Sequence, residues 1–410
     1  NSIRLEYWVS CRNRIIKKRL EFGMKQGNTI QIIVHCKDYE SRRAVLEKLG
    51  RIKYKLPMIG AYVLEVDKSK LDIIKEMEGM IDVELDAHIA AQMNRVNDII
   101  ESKWAHANGF YGEGVGVAIV DTGICLHKDF TEGGNRVIAF KDFVNGKSEP
   151  YDDNGHGTHV AGIIGGNGYS SKGKYMGVAP KCNLIAIKVL DHRGDGNISD
   201  VLAGLQWIID NRKKYNIRVV NVSVGTTAKE SLDENSLLVQ GVNAVWDSGI
   251  VVVVAAGNNG PDPMTISTPG ISRKVITVGS SDDNVSVEVF GSKTKNYSGR
   301  GPTPHCIKKP DIVAPGSNII SCNINRFISK GRMSSQRYKS ETFPMMYTIK
   351  SGTSMATPVV SGAIALLLSA YPWLTNREVK LRLRNSAVDL GEKWEKQGWG
   401  LLNVRKLLEL

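Results

Sequence analysis

The apolar positions of the chain follow two different patterns, and the change falls near residue 90. Between Thr29 and Asp86, four short runs of strand-like composition are separated by two amphipathic stretches, 38–50 and 67–79, each of which ends in a glycine. The order strand, helix, strand, strand, helix, strand is that of the ferredoxin-like split unit. The first part of the chain is therefore predicted to form a small α+β domain.

From residue 115 onward, the apolar runs are nearly continuous and rich in Val and Ile, as in "VGVAIVD" and "IVVVVAAG". These runs alternate with helical segments, which indicates an α/β domain with a doubly wound, mostly parallel sheet and helices on both faces. In such sheets the chemistry gathers in the loops beyond the carboxyl ends of the strands. Residues 87–100, between the two patterns, lack strong periodicity and are predicted to be a linker or processing region.

Composition excludes several classes of protein. With 42% hydrophobic and 23% charged residues, the chain has the composition of an ordinary globular protein, and no apolar run approaches the roughly 18 residues of a membrane span. The formal charge is +12, but the basic residues are scattered and not interleaved with aromatic residues, so no nucleic-acid partner is expected. The six cysteines include no CxxC pair, which favours reduced thiols over a disulfide scaffold or a zinc ribbon.

The N-terminal segment gives little indication of the cellular compartment of the protein. The sequence begins at Asn1, and no signal-like apolar segment follows. We expect a cytoplasmic protein, with secretion as the alternative. Residues 1–25 carry a basic amphipathic stretch that is predicted to be a surface extension.

Two of the predicted loops carry residues that suit general-base catalysis. The run "VGVAIV" ends in Asp121, and a carboxylate at a buried strand end needs a charged or hydrogen-bonded partner. The segment "DDNGHGTHVAG" places His156 at a helix start, where a carboxylate can fix the tautomer of a histidine base. His156 and His159 would make a metal pair only with further ligands, and none follows with zinc spacing.

The stretch "SGTSMATP" offers three hydroxyls, on Ser351, Thr353 and Ser354, just before a long apolar helix. Taken alone, these residues cap a buried helix. As a nucleophile, Ser354 would lie at the positive end of the helix dipole, and Pro358 would deprive the Ser354 carbonyl of its helical donor and loosen the first turn. Asn258 is likewise open to two interpretations, a turn residue or an amide that donates to an oxyanion.

The segments "VAIVDTGI", "DDNGHGTHVAG", "VVVVAAGNNG" and "SGTSMATPVVSG" resemble, in this order, the four signature segments of the subtilisin-like serine proteases. The resemblance implies a subtilisin-like fold and a serine endopeptidase that needs no cofactor and acts on protein or peptide substrates. It makes Asp121 the orienter, His156 the general base and Ser354 the nucleophile. Asn258 becomes the oxyanion donor together with the Ser354 backbone N–H, and His159 becomes a structural residue.

The same matching implies where a substrate binds. Residues 194–196 and 223–225 resemble two edge strands that clamp an extended peptide through its backbone. The pockets that this matching implies are lined by small and apolar residues, which favours apolar side chains on the substrate. The implied substrate-binding residues are Leu190, Gly194, Asp195, Gly196, Ile198, Ser223, Val224, Gly225, Ala255, Ala256 and Gly257. The Thr268–Pro269 bond matches a family position that is cis.

The first domain resembles the inhibitory propeptide of the family. The implied organisation is a basic extension, 1–25, a propeptide, 26–93, and a catalytic domain, 94–410. The resemblance implies self-cleavage near Met93–Asn94, after which the propeptide is the enzyme's own intramolecular inhibitor.

Two departures from the commonest family pattern bear on metal binding and compartment. The loop "NGYSSKGKYMGVAP" lies where many relatives bind calcium, but it carries Lys172 and Lys174 and no carboxylate. A hard cation needs several oxygen ligands, which leaves Asp129 as the one expected calcium ligand. The basic segment 317–350 is placed like insertions in intracellular Bacillus- and Clostridium-type members, in agreement with a cytoplasmic location.

Two other functions stay open at the level of sequence, because a fold does not fix a function. One is a catalytically silent protease fold that serves as a binding or regulatory module. The other is an esterase or transacylase that uses the same triad.

Overall fold

The computed structural model describes residues 29–57, 60–77, 79–85, 93–225, 235–289, 291–324 and 346–409. The predicted basic extension 1–25 lies outside the described residues, as do residues 87–92 of the predicted linker. The chain divides between Ala90 and Ala91 into two compact units.

The first unit has the predicted β-α-β-β-α-β order. Its sheet is antiparallel, with the strand order β2-β3-β1-β4, and its core is formed by residues such as Ile32, Leu46 and Leu64. The elements are β1 (Thr29–Cys36), α1 (Tyr39–Leu49), β2 (Gly50–Leu56), β3 (Ala61–Asp67), a 3₁₀ turn (Lys68–Lys70), α2 (Leu71–Glu76) and β4 (Met80–Leu85).

The second unit is an α/β domain. Its helices are α3 (Met93–Ile99), α4 (Ser102–Ala107), α5 (Lys128–Thr131), α6 (His156–Gly165), α7 (Ile198–Asn211), α8 (Leu237–Asp247), α9 (Thr353–Ala370), α10 (Asn376–Ser386), α11 (Trp394–Gln397) and α12 (Val404–Glu409). Its strands are β5 (Gly116–Asp121), β6 (Val137–Asp142), β7 (Asn183–Lys188), β8 (Ile217–Val222), β9 (Val251–Ala255), β10 (Ile276–Ser280), β11 (Val287–Val289), β12 (Ser292–Thr294), β13 (Ile312–Ala314), β14 (Ile319–Cys322) and β15 (Tyr347–Lys350).

Seven of these strands form a parallel sheet in the order β13-β10-β9-β8-β5-β7-β6. The five inner strands are the five continuous Val- and Ile-rich runs, and the predicted doubly wound α/β class is confirmed. The two edge strands, β6 and β13, were not predicted. β6 is only partly buried and its apolar run ends at Phe140, and β13 has three residues, so neither gives the long apolar run expected of an inner strand.

The prediction of a linker over residues 87–100 is wrong for its second half. Residues 93–99 form helix α3, and Val96 and Ile100 are fully buried in the core of the second unit. Val96 and Ile100 are four residues apart and therefore lie on one helical face, a signal too short to stand out in the sequence.

Helix α9 is the central element of the second unit. It packs against α6 and against β8, β9 and β10. It is also a helix long and apolar enough to cross a membrane, but 89% of its 18-residue window is buried inside the protein, as in a core helix. Because it is apolar on all sides and fully packed, this helix holds its first turn in a fixed position beside the sheet.

Candidate active site

Parallel strand pairing brings Asp121, Ser223 and Lys188 to the same edge of the sheet. Val120 of β5 lies beside Val222 of β8, so Asp121 and Ser223 follow at the same carboxyl edge of the sheet. On the other side of β5, Asp121 pairs with Lys188 of β7. The register of three strands therefore places these residues side by side before any side-chain contact is considered.

Asp121 and His156 form a short hydrogen bond. The Nδ1 atom of His156 lies 2.7 Å from Oδ1 of Asp121, and the Asp121 carboxylate is fully buried. The backbone N–H of Thr122 donates to the same oxygen at 2.8 Å. The bond places the ring proton on Nδ1, and Nε2 is then free to accept a proton. His156 begins α6 and keeps 15% of its side chain exposed, which leaves the ring open to a reactant.

Asp152 joins the two loops that carry Asp121 and His156. Its Oδ1 accepts from the Thr122 hydroxyl at 2.9 Å and from the Gly155 N–H at 2.7 Å, and its Oδ2 accepts from the Thr158 N–H and hydroxyl. The loops approach so closely that a Cβ on Gly157 would lie 2.2 Å from the Gly123 carbonyl oxygen. Asp152 is therefore a positioning residue that the sequence analysis missed.

Ser354, the second residue of α9, is held on both sides by Ser223. The Ser354 hydroxyl donates to the Ser223 carbonyl at 3.1 Å, and the Ser223 hydroxyl donates to the Ser354 carbonyl at 3.2 Å. The second bond replaces the helical donor that Pro358 lacks. The expected loosening of the first turn is therefore wrong, because the side chain of Ser223, the residue after β8, supplies the missing bond.

A buried polar chain continues from Ser223 into the core. Ser361 donates to Oδ1 of Asn221 at 2.8 Å, and Nδ2 of Asn221 donates to the Ser223 hydroxyl at 2.9 Å. All these groups are buried and hydrogen-bonded. Such a satisfied network fixes one arrangement of the side chains, so the position of Ser354 is set from within the sheet and the helix.

No hydrogen bond joins Ser354 to His156 in the part of the chain that the structure describes. The Ser354 hydroxyl instead points to the Ser223 carbonyl. Catalytic hydrogen bonds are often loose in the absence of a reactant. A rotation of the Ser354 side chain is needed before its proton can pass to His156.

Asn258 is hydrogen-bonded to the start of α9 through its amide oxygen. Oδ1 of Asn258 accepts from the N–H of Thr353 at 2.9 Å and from its hydroxyl at 3.1 Å, and the Thr353 hydroxyl accepts from the Gly257 N–H. The amide oxygen is therefore engaged, and Nδ2 remains as a donor. The Ser354 N–H makes no hydrogen bond to a described residue, as expected for the first turn of a helix.

Thr353 has a different role from the predicted one. The sequence predicts a helix cap at Thr353, but the N-cap residue is Gly352, with a φ of 137°. Thr353 instead orients Asn258. The two contacts of Thr353 with Asn258 join segments that are far apart in the sequence. No spacing of residues in the sequence therefore indicates them.

Lys188 is a buried ammonium at the same edge of the sheet. Its Nζ donates to the Thr122 carbonyl at 2.6 Å, to the Leu190 carbonyl at 2.7 Å and to Asp153 at 2.7 Å. It also lies over the ring of Tyr151. Lys188 thus ties the Asp121 loop, the His156 segment and the predicted substrate loop together, and it too was missed.

His159 is a structural residue, as the family resemblance implied. Its ring is fully buried, and Nε2 donates to the carbonyls of Ile319 and Thr348 at 3.1 and 3.2 Å. Burial, with a smaller contribution from Lys350, lowers the pKa of His159 to about 3. The ring stays neutral at working pH and joins α6 to strands β14 and β15.

The predicted substrate residues lie at the expected edge of the sheet, with two differences. Residues 194–196 are exposed and 223–225 follow β8, but neither segment belongs to a β-strand within the described chain. Gly194 instead closes a turn in which the Asp191 N–H donates to the Asp195 carbonyl. The sequence matching predicts strands at these positions, but a strand at this edge forms only when a second chain pairs with it.

The second difference concerns the predicted pocket wall. The side chain of Ala256 is fully buried in a small core cluster with Val239, Ile266 and Ile271, so Ala256 reaches a pocket only through its backbone. Ala255, Gly257, Leu190 and Val224 are partly buried, whereas Ile198 is 43% exposed at the start of α7. The predicted cis bond at Thr268–Pro269 is present.

The surroundings of Asp129 do not fit calcium. Its Oδ1 accepts from the Ser170 N–H at 2.9 Å, and its Oδ2 accepts from the Tyr347 hydroxyl at 2.8 Å. The neighbouring side chains that can bind a metal are His127 and Cys322. Calcium takes six to eight oxygen ligands, and a set of one carboxylate, one imidazole and one thiol does not supply them.

Comparisons with known proteins agree with this fold and geometry. Residues 112–400 match the model of the subtilase family, peptidase S8. The chain is 39% identical to serine protease AprX of Bacillus subtilis (strain 168) over 401 residues, 95% of this chain and 88% of that protein. Subtilisin DY of Bacillus licheniformis is 35% identical over 75% of this chain and 95% of its own length.

Comparison with a solved structure also indicates similarity to subtilisin-like proteases. The crystal structure of a cold adapted subtilisin-like serine proteinase superimposes with a TM-score of 0.53 and 29% identity, covering 72% of this chain and 90% of that one. The chain therefore belongs to the subtilase family of serine-type endopeptidases. The resemblance drawn from the four sequence segments is confirmed, as is the subtilisin-like fold.

We expect Lys188→Met to lower the free energy of unfolding by about 2–4 kcal/mol, because buried carbonyls of Thr122 and Leu190 lose their donor. Urea denaturation in a Ser354→Ala background, which limits self-digestion, measures the change. The matched control is Lys181→Met, since Lys181 forms an exposed ion pair with Glu113, and no measurable loss is expected. Equal stability of the two variants would contradict the assigned role of Lys188.

The buried His159 makes stability depend on pH. Its pKa of about 3 in the folded protein lies below the usual 6.5, so only the unfolded chain takes up a proton between these values. Stability is therefore lost as the pH falls below about 6.5, at about 1.4 kcal/mol per pH unit for this one group.

Urea denaturation at pH 7 and pH 5 tests this linkage. His159→Gln should reduce the stability lost between the two pH values by about 2 kcal/mol. An equal loss in His159→Gln and in the parent protein would show that His159 does not carry the effect.

Proposed function

We propose that this endopeptidase cleaves peptide bonds through Asp121, His156 and Ser354 by way of an acyl-enzyme. The observation that carries the proposal is the 2.7 Å hydrogen bond between His156 and the buried carboxylate of Asp121. It lies at the same strand edge from which Ser223 holds Ser354. A serine that only caps a helix needs neither the His156–Asp121 pair nor the contact with Ser223.

In the proposed first step, the Ser354 oxygen attacks the scissile carbonyl carbon while Nε2 of His156 takes the hydroxyl proton. The Asp121 carboxylate stabilises the imidazolium that forms. The tetrahedral intermediate then collapses, the carbon–nitrogen bond breaks, and His156 returns the proton to the leaving amine. Water, activated by the same His156, releases the acyl group and restores Ser354.

The negative charge of the intermediate needs donors that are aligned before reaction. Nδ2 of Asn258 and the backbone N–H of Ser354 are the proposed pair. The two contacts of Thr353 with Oδ1 of Asn258 keep the amide in this orientation. No metal or other cofactor takes part in the proposed steps.

The proposed substrates are proteins or peptides in extended conformation. Backbone groups of residues 194–196 and 223–225 would pair with the substrate on either side, which gives affinity independent of sequence. Leu190 and Val224 are partly buried apolar residues at this edge. They favour apolar side chains on the substrate.

The first unit is proposed to be the propeptide and intramolecular inhibitor of the second. Its support is the family resemblance and the division of the chain into two compact units near the predicted cleavage site. The proposed bond, Met93–Asn94, lies at the start of α3. Cleavage there requires this first helical turn to open, because a protease holds its substrate in extended form.

We expect Ser354→Ala to abolish both peptide hydrolysis and self-processing, because no other group replaces the nucleophile. Mass spectrometry of the purified protein measures processing, and release of a chromogenic amide measures turnover. Ser351→Ala is the matched control, since the Ser351 hydroxyl accepts from the Asn318 N–H in a nearby loop. Turnover retained in Ser354→Ala, or lost equally in Ser351→Ala, would contradict the assignment.

We expect Thr353→Val to lower kcat about tenfold with little change in KM, because the orientation of Asn258 matters most when the oxyanion forms. Loss of about 1.4 kcal/mol of transition-state stabilisation corresponds to that factor. Thr353→Ser keeps the hydroxyl and should keep most of the activity. A rise in KM at unchanged kcat would show that Thr353 acts on substrate binding instead.

A further inference from the structure

A basic cleft lies on the surface of the second unit, outside the candidate active site. Its volume is about 410 Å³, which falls within the roughly 300–1,000 Å³ of typical ligand pockets. Five basic side chains and one acidic side chain line it, together with two tryptophans and a leucine. The basic residues come from two segments, 273–274 and 377–384. The fold therefore gathers charges that are scattered in the sequence.

The basic cleft lies at the amino ends of three strands of the parallel sheet. Lys274 precedes β10 by two residues, and Asp247 ends α8 just before β9. The N–H of Trp399 donates to the carbonyl of Asp311, the residue before β13. The candidate active site lies at the carboxyl ends of the strands. The cleft is therefore at the opposite edge of the sheet and does not belong to that site.

One face of helix α10 forms a wall of the cleft. Arg377, Lys380, Leu381 and Arg384 follow the i, i+3, i+4, i+7 spacing that places side chains on one helical face. Like charges at this spacing destabilise a helix. The guanidinium groups of Arg377 and Arg384 are exposed and form no hydrogen bond or ion pair with a described residue. Both groups are thus available to a ligand.

Lys380 has a different role, because its ammonium is held by the protein. Its Nζ lies 5.8 Å from the ring centroid of Trp246 and 6.0 Å from that of Trp399. It donates to the backbone carbonyls of residues 273–275, each at 3.0 Å. These bonds use its three donors. Lys380 therefore gives the cleft a fixed positive charge and leaves ligand binding to the arginines.

The acidic groups near the cleft do not neutralise its charge. Asp247 binds Lys274 through both carboxylate oxygens, at 2.9 and 2.7 Å. Oδ1 of Asp311 lies 3.5 Å from Nζ of Lys380, but its Oδ2 binds the buried Lys309 at 2.5 Å. An excess of positive charge remains along α10, and it is complementary to an anionic partner.

The spacing of the two arginines favours an extended acidic chain over a compact anion. Arg377 and Arg384 are two helical turns apart, about 10.5 Å along the axis. Three residues of an extended peptide, at about 3.4 Å each, span the same length. Leu381 lies between the arginines on this face and is 55% exposed, which offers an apolar contact between two charged ones.

We propose that the basic cleft binds an extended acidic segment of a protein. Two carboxylates of the segment bind Arg377 and Arg384, since a guanidinium group pairs with a carboxylate through two parallel hydrogen bonds. An apolar side chain between them packs on Leu381 and the two tryptophans. The bound protein is held at the edge of the sheet opposite the candidate active site, so the proposal does not rest on the triad.

The test uses the full chain carrying Ser354→Ala, so that the probe is not cleaved. The probe is a fluorescein-labelled peptide with two glutamates three positions apart and a phenylalanine between them, and fluorescence anisotropy measures its affinity. We expect about threefold weaker binding in Arg377→Gln and in Arg384→Gln, and about tenfold weaker binding in the double variant. Arg405→Gln is the matched control, because Arg405 forms an exposed ion pair with Glu409 outside the cleft. Its affinity should be unchanged.

The chemistry of the probe gives a test that needs no variant of the cleft. A peptide with glutamine in place of both glutamates should not bind. Binding of the acidic peptide should weaken strongly in about 1 M salt, where the Debye length is about 3 Å. Circular dichroism verifies that each variant folds.

Three results would overturn the proposal. Equal weakening in Arg405→Gln and in the cleft variants would show attraction by the overall charge of +12 and not by the cleft. Displacement of the peptide by tripolyphosphate at a concentration below the dissociation constant of the peptide would indicate a site for a compact anion. Tighter binding of a single-stranded oligonucleotide of equal charge would indicate a nucleic-acid site.

Discussion

The site depends on a carboxylate buried at the end of a central strand. Asp121 has no exposed surface, and an isolated charge in that position would be strongly unfavourable. The Asp121 carboxylate is held by a short bond to His156 and a backbone donor from Thr122, and Lys188 supports the same loop by donating to the Thr122 carbonyl. Thr122 follows Asp121 directly, whereas His156 begins α6 and Lys188 ends β7. The hydrogen bonds around this buried charge therefore join the end of β5 to the start of α6 and the end of β7, and they align the proposed catalytic groups.

Ser354, the proposed nucleophile, is positioned by a second constraint, which comes from a helix and not from a strand. Pro358 removes a backbone donor in the first turn of α9, and Ser223 of the β8 edge replaces it. This exchange couples the helix to the sheet at Ser354. The polar chain through Asn221 and Ser361 extends the coupling into the core. The donor that the helix lacks at Pro358 is thus replaced by Ser223, and this contact sets the position of Ser354.

The sequence predicted the parts of the molecule that repeat a strong pattern. Five central strands, the helices between them and the ferredoxin-like unit follow from apolar periodicity, and the four segments with Asp121, His156, Asn258 and Ser354 identify the family. Lys188, Asp152 and Thr353 were missed because their roles arise from contacts between distant segments, with no local spacing to signal them. Helix α3 and the edge strand β13 were missed because each is too short for a pattern. The exchange between Ser223 and Ser354 depends on strand register, which a single sequence does not determine.

The central claim is that Ser354 is a nucleophile activated by His156 and Asp121. The most direct measurement is labelling by a serine-directed fluorophosphonate, followed by peptide mapping of the labelled residue. We expect one modified residue, Ser354, with labelling strongly slowed in His156→Ala. An unlabelled but folded protein, or a label on another serine, would contradict it and favour a catalytically silent protease fold.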